Sequence, residues 1–346
     1  MKAAVFIEPG KVEVKEVEKP TIKNDNEALI RVVRTSVCGS DLWWFRGISK
    51  RDTNTLVGHE AIGVVEKVSD DVTNIKPGDF VIVPFTHGCG HFVACLNGFE
   101  GNCLNLKPGN NGGYQAEYMI YSPANSGLVK IPGKPDNYTD DQLASLQTLS
   151  DVMATGYHAA LNAEVKKGDT VAVIGDGAVG LCGIIAAKLL GAEKIILLSH
   201  HKDRAELGKE FGANNIVSSR GDDAVKEVLA LTKENAGADA VLECVGATSA
   251  IEQAGQIARP GAVVGRVGVP QTNPDSNALF WKNVGLRGGI ASVTKPDKEV
   301  LLQAVLDGKI NPGKVFTKSF DLDHIQDAYD AMSNREAVKS LIIVSE

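Results

Sequence analysis

The chain has 346 residues, of which 43% are hydrophobic and 23% are charged, and this composition excludes a disordered or fibrous protein and favours two folded domains. The formal net charge of −7 argues against binding to nucleic acid or to an anionic membrane. The sequence has no signal peptide pattern and no stretch apolar enough to span a bilayer, and its six unevenly spaced cysteines favour metal ligands or free thiols over disulfides. We therefore expect a cytoplasmic protein without nucleic-acid or membrane partners.

Short β segments separated by Gly, Pro, Asn and Asp occupy the first 150 residues. In chain order they are KAAVFI, EALIRVVRTSV, AIGVVEKV, FVIVPF and AEYMIYS. This pattern predicts a mostly antiparallel or barrel-like β domain.

Strands alternate with helical patterns from about residue 152, which predicts βαβ units and a parallel sheet. The segments are TVAVIG, AVGLCGIIAAKLLGA, KIILLS, KDRAELGKEFGA, DDAVKEVLALTKE, ADAVLECVG, a further helix and AVVGRVG. The last part, with helix KEVLLQAVLDGK and strand VKSLIIV, is expected to return to the first domain, because a terminal strand needs an edge to pair with. The predicted fold is α/β, with one domain at 1–151 and 290–346 and another at 152–289.

A glycine-rich turn, GDGAVG, stands between the strand TVAVI and the following apolar helix. Gly175 would make the turn, Gly177 would let the backbone approach a pyrophosphate, and Gly180 would let helix and strand pack closely. Ala178 and Val179 complete the motif. Its position within repeated βαβ units makes this a predicted dinucleotide-binding loop.

The cofactor type is predicted from the end of the next strand, where an NAD site usually carries Asp or Glu. This chain has Ser199 there, followed by polar and cationic side chains: His200, His201, Lys202 and Arg204. Without the acid, a 2′-phosphate is not repelled, and these groups could bind it, so NADP(H) is the expected cofactor. Alternatively, Lys202 and Arg204 belong to a solvated helix start, and the prediction then depends on the missing acid alone.

His59 and Glu60 lie just before a β segment, in GHEAIG, and Cys38 lies 21 residues upstream in SVCGSDL. With these residues the sequence resembles the zinc-dependent medium-chain alcohol dehydrogenase family. The resemblance covers essentially the whole chain, through GHE-x2-G with a later GD-x-V, the CGSD box, a cysteine lobe and GxGxxG; Ser69, where Gly or Ala is usual, is a mild departure. It implies a β-rich GroES-like catalytic domain and a Rossmann domain with a doubly wound parallel sheet.

The resemblance implies a catalytic zinc with three protein ligands and one open position. By this analogy the ligands are Cys38, His59 and Asp151, the last standing where many relatives have Cys, and Glu60 is a transient ligand. Zinc would act as a Lewis acid on the substrate oxygen while hydride passes between substrate and nicotinamide.

Ser40 and Asp41, which follow Cys38 in the chain, match two further positions of the family. Ser40 corresponds to the hydroxyl that takes the alcohol proton, and Asp41 to the carboxylate that orients the histidine ligand. Several relatives have a histidine as the next member of this proton relay, and Trp43 stands at that position in this chain. The proton is therefore expected to leave by another route.

The resemblance implies cofactor contacts for three more residues. Thr155 and Gly156 resemble residues that line the nicotinamide, and Lys339 resembles a cationic residue that reaches the pyrophosphate.

The aromatic run Trp43, Trp44 and Phe45 follows the CGSD box. These rings either wall an apolar substrate cleft or pack under a loop. If one faces the zinc, the substrate is apolar or aromatic rather than a polyol.

The cysteine lobe resembles the family's structural zinc site, C-x2-C-x2-C-x7-C, at three positions: Cys89, Cys95 and Cys103. Phe92 takes the fourth ligand position and cannot bind metal. A nearby histidine or water could replace it. We expect the lobe to be metal-free or weakly metallated, and mobile.

These observations predict a zinc- and NADP-dependent dehydrogenase that interconverts alcohols with aldehydes or ketones. The alternatives are a zinc-dependent polyol or threonine dehydrogenase, a zinc-free quinone or enoyl reductase, and a non-catalytic cofactor-binding protein. The resemblance implies a homotetramer, or else a homodimer.

Overall fold

The computed structural model describes residues 1–105, 112–270 and 277–345. The chain divides into two compact units, one of Met1–Asp151 with Ser292–Glu346 and the other of Val152–Ala291. The boundaries predicted from the sequence were 151/152 and 289/290, the second of them two residues before the observed one.

The strands and α-helices described before residue 152 are β1 (Lys2–Glu8), β2 (Lys11–Glu16), β3 (Ala28–Ser36), α1 (Asp41–Phe45), β4 (Thr55–Leu56), β5 (Ala61–Val68), β6 (Phe80–Val83), α2 (Val93–Leu96), β7 (Tyr118–Tyr121), α3 (Ala124–Gly127), β8 (Val129–Ile131) and α4 (Asp140–Thr148). The second unit contains α5 (Val152–Asn162), β9 (Thr170–Ile174), α6 (Ala178–Leu189), β10 (Lys194–Leu198), α7 (Lys202–Phe211), β11 (Asn215–Val217), α8 (Gly221–Ala230), β12 (Ala238–Glu243), α9 (Thr248–Ile257), β13 (Ala258–Arg266), α10 (Asn277–Trp281) and β14 (Gly285–Gly288). The chain ends with α11 (Lys295–Leu306), β15 (Phe316–Asp321), α12 (Ile325–Ser333) and β16 (Lys339–Ile343).

The first unit is built on a sheet in the order β15-β16-β3-β5-β6-β8, with β7 also paired to β3, and on a smaller sheet β2-β1-β4. Pairing is antiparallel except between β15 and β16. The terminal strand β16 joins β3 of the same unit, as predicted for the returning segment. The β-rich, mostly antiparallel character expected from the sequence is thus observed.

The second unit has a six-stranded parallel sheet in the order β11-β10-β9-β12-β13-β14. The strand order reverses at β9, which pairs with β10 on one side and β12 on the other. Residues 171–174 and 195–198 are buried throughout, as expected for strands covered on both faces. This is the predicted doubly wound Rossmann sheet, and its switch point lies at the carboxyl end of β9.

Two of the three consecutive aromatic residues pack into the core of the first unit. Trp44 and Phe45 are 7% and 3% exposed. The Trp44 ring lies 5.2 Å from Phe6 and 5.3 Å from Tyr329 between centroids. The packing alternative therefore holds for Trp44 and Phe45, because the short helix α1 turns both rings inward; Trp43 is left half-buried.

Within the described ranges, no helix is both long enough and apolar enough to cross a membrane.

Candidate active site

The pairing of β3 with β5 brings the first two predicted ligands together. The strands are antiparallel with Thr35 opposite Ala61, so the end of β3 lies beside the start of β5. Cys38 follows β3, and His59 precedes β5. The hydroxyl of Thr35 donates a 2.7 Å hydrogen bond to the Glu60 carbonyl and holds the two chain segments together.

Four candidate ligands converge in this unit: Cys38, His59, Glu60 and Asp151. Each offers one ligand atom, and these atoms all lie within 4.8 Å of one another. The Cys38 Sγ is 3.2 Å from Asp151 Oδ2, and the His59 Nε2 is 3.6 Å from the same oxygen. One sulfur, one imidazole nitrogen and carboxylate oxygens are a donor set that zinc accepts. The residues present therefore fit a zinc ion.

The charges around His59 favour a positive charge at this place. Burial alone would lower the pKa of His59, but the charge of Asp41 and the hydrogen bonds to Asp151 and Cys38 raise it well above its ordinary value. Burial, together with the charge of Asp151, raises the pKa of the Cys38 thiol. A buried group of acids that stabilises a cationic ring is also suited to a metal cation.

Asp41 lies behind the histidine, as its predicted role requires. Its Oδ1 is 3.6 Å from His59 Nδ1, and its Oδ2 accepts a 3.1 Å hydrogen bond from the Cys38 backbone N–H. The Asp41 side chain is 5% exposed. One carboxylate thus contacts two predicted ligands and leaves His59 Nε2 directed toward Asp151.

Lys339 lies in the core of the first unit, and its contact with a cofactor pyrophosphate stays a prediction. Its Nζ is buried, 2.6 Å from Glu60 Oε1 and 3.0 Å from the Val37 carbonyl oxygen. Burial alone would lower the pKa of Lys339, but the charge of Glu60 and of its other acidic neighbours raises it. A buried ammonium needs a charged partner, and Glu60 is the partner that the fold supplies.

The second carboxylate oxygen of Glu60 is also informative. Glu60 Oε2 is buried and accepts no hydrogen bond from the residues that the structure describes. A buried carboxylate oxygen without a hydrogen-bond partner, beside a thiol, an imidazole and a second carboxylate, fits a ligand atom for a cation.

Phe85 is a residue near the cluster that the sequence did not reveal. Its ring centroid lies 5.9 Å from that of His59, and its backbone N–H donates 3.1 Å to the Ser150 carbonyl, next to Asp151. The only sequence signal was its place just after a buried strand.

Ser40 is exposed at the amino-terminal cap of α1 and makes no capping hydrogen bond.

The glycine-rich turn of the second unit has the geometry that the sequence predicts. Gly175 has φ of +109°, and a Cβ on Gly180 would lie 1.9 Å from the Gly175 carbonyl oxygen. Gly177 caps α6, and a Cβ there would meet nothing within 4 Å. Ala178 and Val179 begin the helix. Open space above a helix start suits the backbone approach of a phosphate group.

Asp176, the residue between the first two glycines, collects the side chains that were predicted to bind a 2′-phosphate. Ser199 Oγ donates 2.8 Å to Asp176 Oδ2, His201 Nδ1 is 2.8 Å from the same oxygen, and Arg204 Nη1 is 3.4 Å from Oδ1. Burial alone would raise the pKa of Asp176, but the hydrogen bonds from His201 and Ser199 and the charge of Arg204 outweigh burial and lower this pKa below its ordinary value. Sequence reasoning missed this carboxylate, although it stands inside the motif.

The remaining predicted cofactor residues are placed as follows. His200 is exposed with its Nδ1 2.8 Å from the Ser218 carbonyl oxygen, and Lys202 is exposed at the start of α7. Thr155 is 8% exposed in α5. A Cβ on Gly156 would come within 2.6 Å of the α6 backbone, so this glycine permits close packing of two helices.

The three cysteines of the lobe also come together: Cys89, Cys95 and Cys103. Their sulfurs lie within 4.8 Å of one another, and Cys89 and Cys103 are 3.5 Å apart. Burial opposes ionisation of Cys89, but hydrogen bonds, led by that from the His91 backbone, lower its pKa to about 6. Phe92 is half-buried at the cap of α2.

A β unit with a partly buried sulfur–imidazole–carboxylate cluster and a Rossmann unit with a glycine-rich loop define a metal-dependent, nucleotide-binding oxidoreductase. Residues 24–133 match the alcohol dehydrogenase GroES-like domain, and residues 178–302 match the zinc-binding dehydrogenase family. An alcohol dehydrogenase of Cupriavidus necator strain H16 is 32% identical, over 99% of this chain and 98% of the relative. The chain belongs to the zinc-type medium-chain alcohol dehydrogenase family.

Solved structures give the same picture. The alcohol dehydrogenase TADH from Thermus sp. ATN1 superposes with a TM-score of 0.89 at 30% identity, covering 100% of both chains. The zinc-dependent alcohol dehydrogenase 2 from Streptococcus pneumonia superposes with a TM-score of 0.88 at 31% identity, covering 100% of this chain and 99% of that one. The predicted family and fold class are therefore confirmed.

Proposed function

We propose that this oxidoreductase interconverts alcohols with aldehydes or ketones, using zinc held by Cys38, His59 and Asp151 and hydride exchange with NADP(H). The observation that carries the proposal is the convergence of those three donors within 4.8 Å. When bound, zinc supplies the Lewis acidity that polarises the substrate oxygen. This arrangement disfavours the zinc-free quinone reductase, which would not need such a donor set.

The surrounding residues hold and complete the donor set. Asp41 orients His59, while Lys339 anchors Glu60 by a hydrogen bond to one carboxylate oxygen. The other oxygen of Glu60 is left for transient contact with the metal. Ser40, exposed with no capping hydrogen bond, is the proposed acceptor of the alcohol proton.

We further propose an apolar or aromatic substrate. Phe85 lies against His59, and Trp43 remains half-buried beside the CGSD box. The Phe85 ring offers a polyol no hydrogen bond, and the indole of Trp43 offers only its N–H donor, which is fewer than the hydroxyls of a polyol require. The zinc-dependent polyol or threonine dehydrogenase alternative is weakened by this lining.

NADP(H) stays the proposed cofactor, with support from Ser199 in place of an acid and from the cationic Arg204 nearby. The ionised Asp176 opposes the binding of a 2′-phosphate, because its negative charge repels the phosphate and because Ser199 and Arg204 already bond to it. We therefore expect the preference for NADP(H) over NAD(H) to be modest.

The test is a panel of short, branched and aromatic carbonyls assayed with NADPH and NADH, with and without a zinc chelator, beside sorbitol and threonine. We expect chelator-sensitive reduction of apolar carbonyls and one catalytic zinc that is lost in Asp151→Ala. The exposed Asp25 supplies the control, since Asp25→Ala should keep both zinc and activity. Chelator-resistant quinone reduction, or turnover confined to polyols or threonine, would contradict the proposal.

A homotetramer, or a homodimer, is proposed from the family resemblance alone, and a cytoplasmic location is kept as a separate proposal. Light scattering on the purified protein measures the assembly, and a monomer at micromolar concentration would contradict it.

A further inference from the structure

Residues 87–105, here called the lobe, hold three thiols at one point. The Sγ atoms of Cys89, Cys95 and Cys103 lie within 4.8 Å of one another, and Cys95 is only 8% exposed. The backbone closes around the sulfurs, because a Cβ on Gly88 would lie 2.6 Å from Cys95 Sγ. The thiols are thus gathered by the local fold.

The lobe lacks a fourth donor. Within the described ranges, no histidine or carboxylate joins the group of three sulfurs. His91, the nearest candidate in the sequence, is exposed and has its Nδ1 2.9 Å from the Cys89 carbonyl oxygen. Phe92 has no donor atom. Of the replacements that the sequence left open, neither His91 nor His87 joins the three sulfurs within the described residues.

Three thiolates without a fourth ligand suit a different class of metal from structural zinc. A structural zinc is closed by four ligands, whereas soft, thiophilic d10 cations are stable with sulfur donors alone and accept three. With metal–sulfur bonds of about 2.3 Å, three sulfurs in a plane around one ion stand about 4 Å apart, a spacing compatible with the lobe.

We propose that the lobe is a three-thiolate site for a soft, thiophilic cation and does not retain a structural zinc. The site is distinct from the Cys38 cluster and does not depend on the proposed catalytic activity. Ion binding would join the ends of the lobe, since Cys89 and Cys103 stand at its two sides, and would stabilise it against local opening.

Cadmium is the probe, added to the reduced full-length protein while the thiolate-to-metal charge-transfer absorption is followed. The catalytic cluster contains a cysteine too, so the titration is run with its zinc in place. We expect one cadmium per chain at the lobe and at least a hundredfold weaker binding in Cys95→Ser. Cys182→Ala, which removes a buried thiol elsewhere and keeps its Cβ, should bind like the parent.

Phe92→Cys restores the fourth thiolate and is the complementary variant. We expect elemental analysis after dialysis against a chelator to find an extra zinc per chain in Phe92→Cys that the parent lacks. Equal zinc retention in both proteins would overturn the proposal. Cadmium binding that survives Cys95→Ser, or a reduced lobe that takes no cadmium, would overturn it as well. These experiments measure metal content and absorption spectra, so their outcome does not depend on dehydrogenase activity.

Discussion

The ammonium of Lys339 lies 2.6 Å from the carboxylate of Glu60, and neither side chain is more than 1% exposed. The two residues are 279 positions apart in the chain, and their contact holds the terminal strand β16 beside the start of β5. Since Glu60 also belongs to the ligand cluster, this ion pair couples the stability of the first unit to its metal site.

Lys339→Met should lower the free energy of unfolding by about 3–5 kcal/mol, because it leaves the Glu60 charge buried without its partner. Chemical denaturation of the zinc-free protein measures the loss. The double variant Lys339→Met with Glu60→Gln should recover a large part of it, since no uncompensated charge then remains. A double variant as unstable as the sum of the two singles would show that the pair is not energetically coupled.

Asp41→Asn should weaken zinc binding about 10–100-fold. A neutral amide orients His59 less strongly than the carboxylate does, and it no longer raises the basicity of the imidazole that binds the metal. Competition with a chromophoric chelator gives the affinity. Asp25→Asn, on the surface, serves as the matched loss of one negative charge. Zinc affinity that falls equally in both variants would assign the effect to net charge and not to contact with the ligand.

Asp176→Asn should raise the ratio of kcat/KM for NADPH to that for NADH about tenfold. The change removes a negative charge facing the 2′-phosphate and releases Arg204 and His201 to bind it. It also removes the carboxylate available to a ribose hydroxyl of NADH. Asp203→Asn, an exposed position in α7, is the control for charge alone. An unchanged ratio in Asp176→Asn would contradict the assignment.

Lys298 should make stability rise with pH in the alkaline range. Its side chain is 3% exposed, its Nζ is 3.8 Å from Glu100 Oε2, and burial lowers its pKa from 10.5 to about 8 despite the Glu100 charge. Between these two values the unfolded chain binds more protons than the folded one, so the free energy of unfolding increases with pH. The increment across the window is at most about 3 kcal/mol.

The measurement is chemical denaturation at intervals from pH 7.5 to about pH 10.5, the range set by the folded and unfolded pKa values of Lys298. Lys298→Met should lose the rise relative to the parent, whereas Lys309→Met, with a side chain 65% exposed in the parent, should keep it. Parallel curves for the parent and Lys298→Met would refute the role of this lysine.

Local pattern was sufficient for much of the fold. The β5 segment AIGVVEKV was predicted at the residues where the strand occurs, and the glycine-rich turn was placed between its strand and helix. These features depend on side-chain period and on glycine's conformational freedom, which neighbouring residues carry. The aromatic run was left with two alternatives, because a five-residue helix gives no period long enough to assign a buried face.

Cys38, His59 and Asp151 could be named from the sequence through the family's spacing, and the incomplete lobe was evident from Phe92 among three cysteines. Only the tertiary structure decided that Lys339 pairs with Glu60, that Asp176 engages Ser199, His201 and Arg204, and that Phe85 lies against His59. These contacts join side chains from separate elements, and their partners are selected by burial and charge after the sheets have assembled. A linear pattern records which residue types are present, but the energy of a buried charge depends on what the completed fold places beside it.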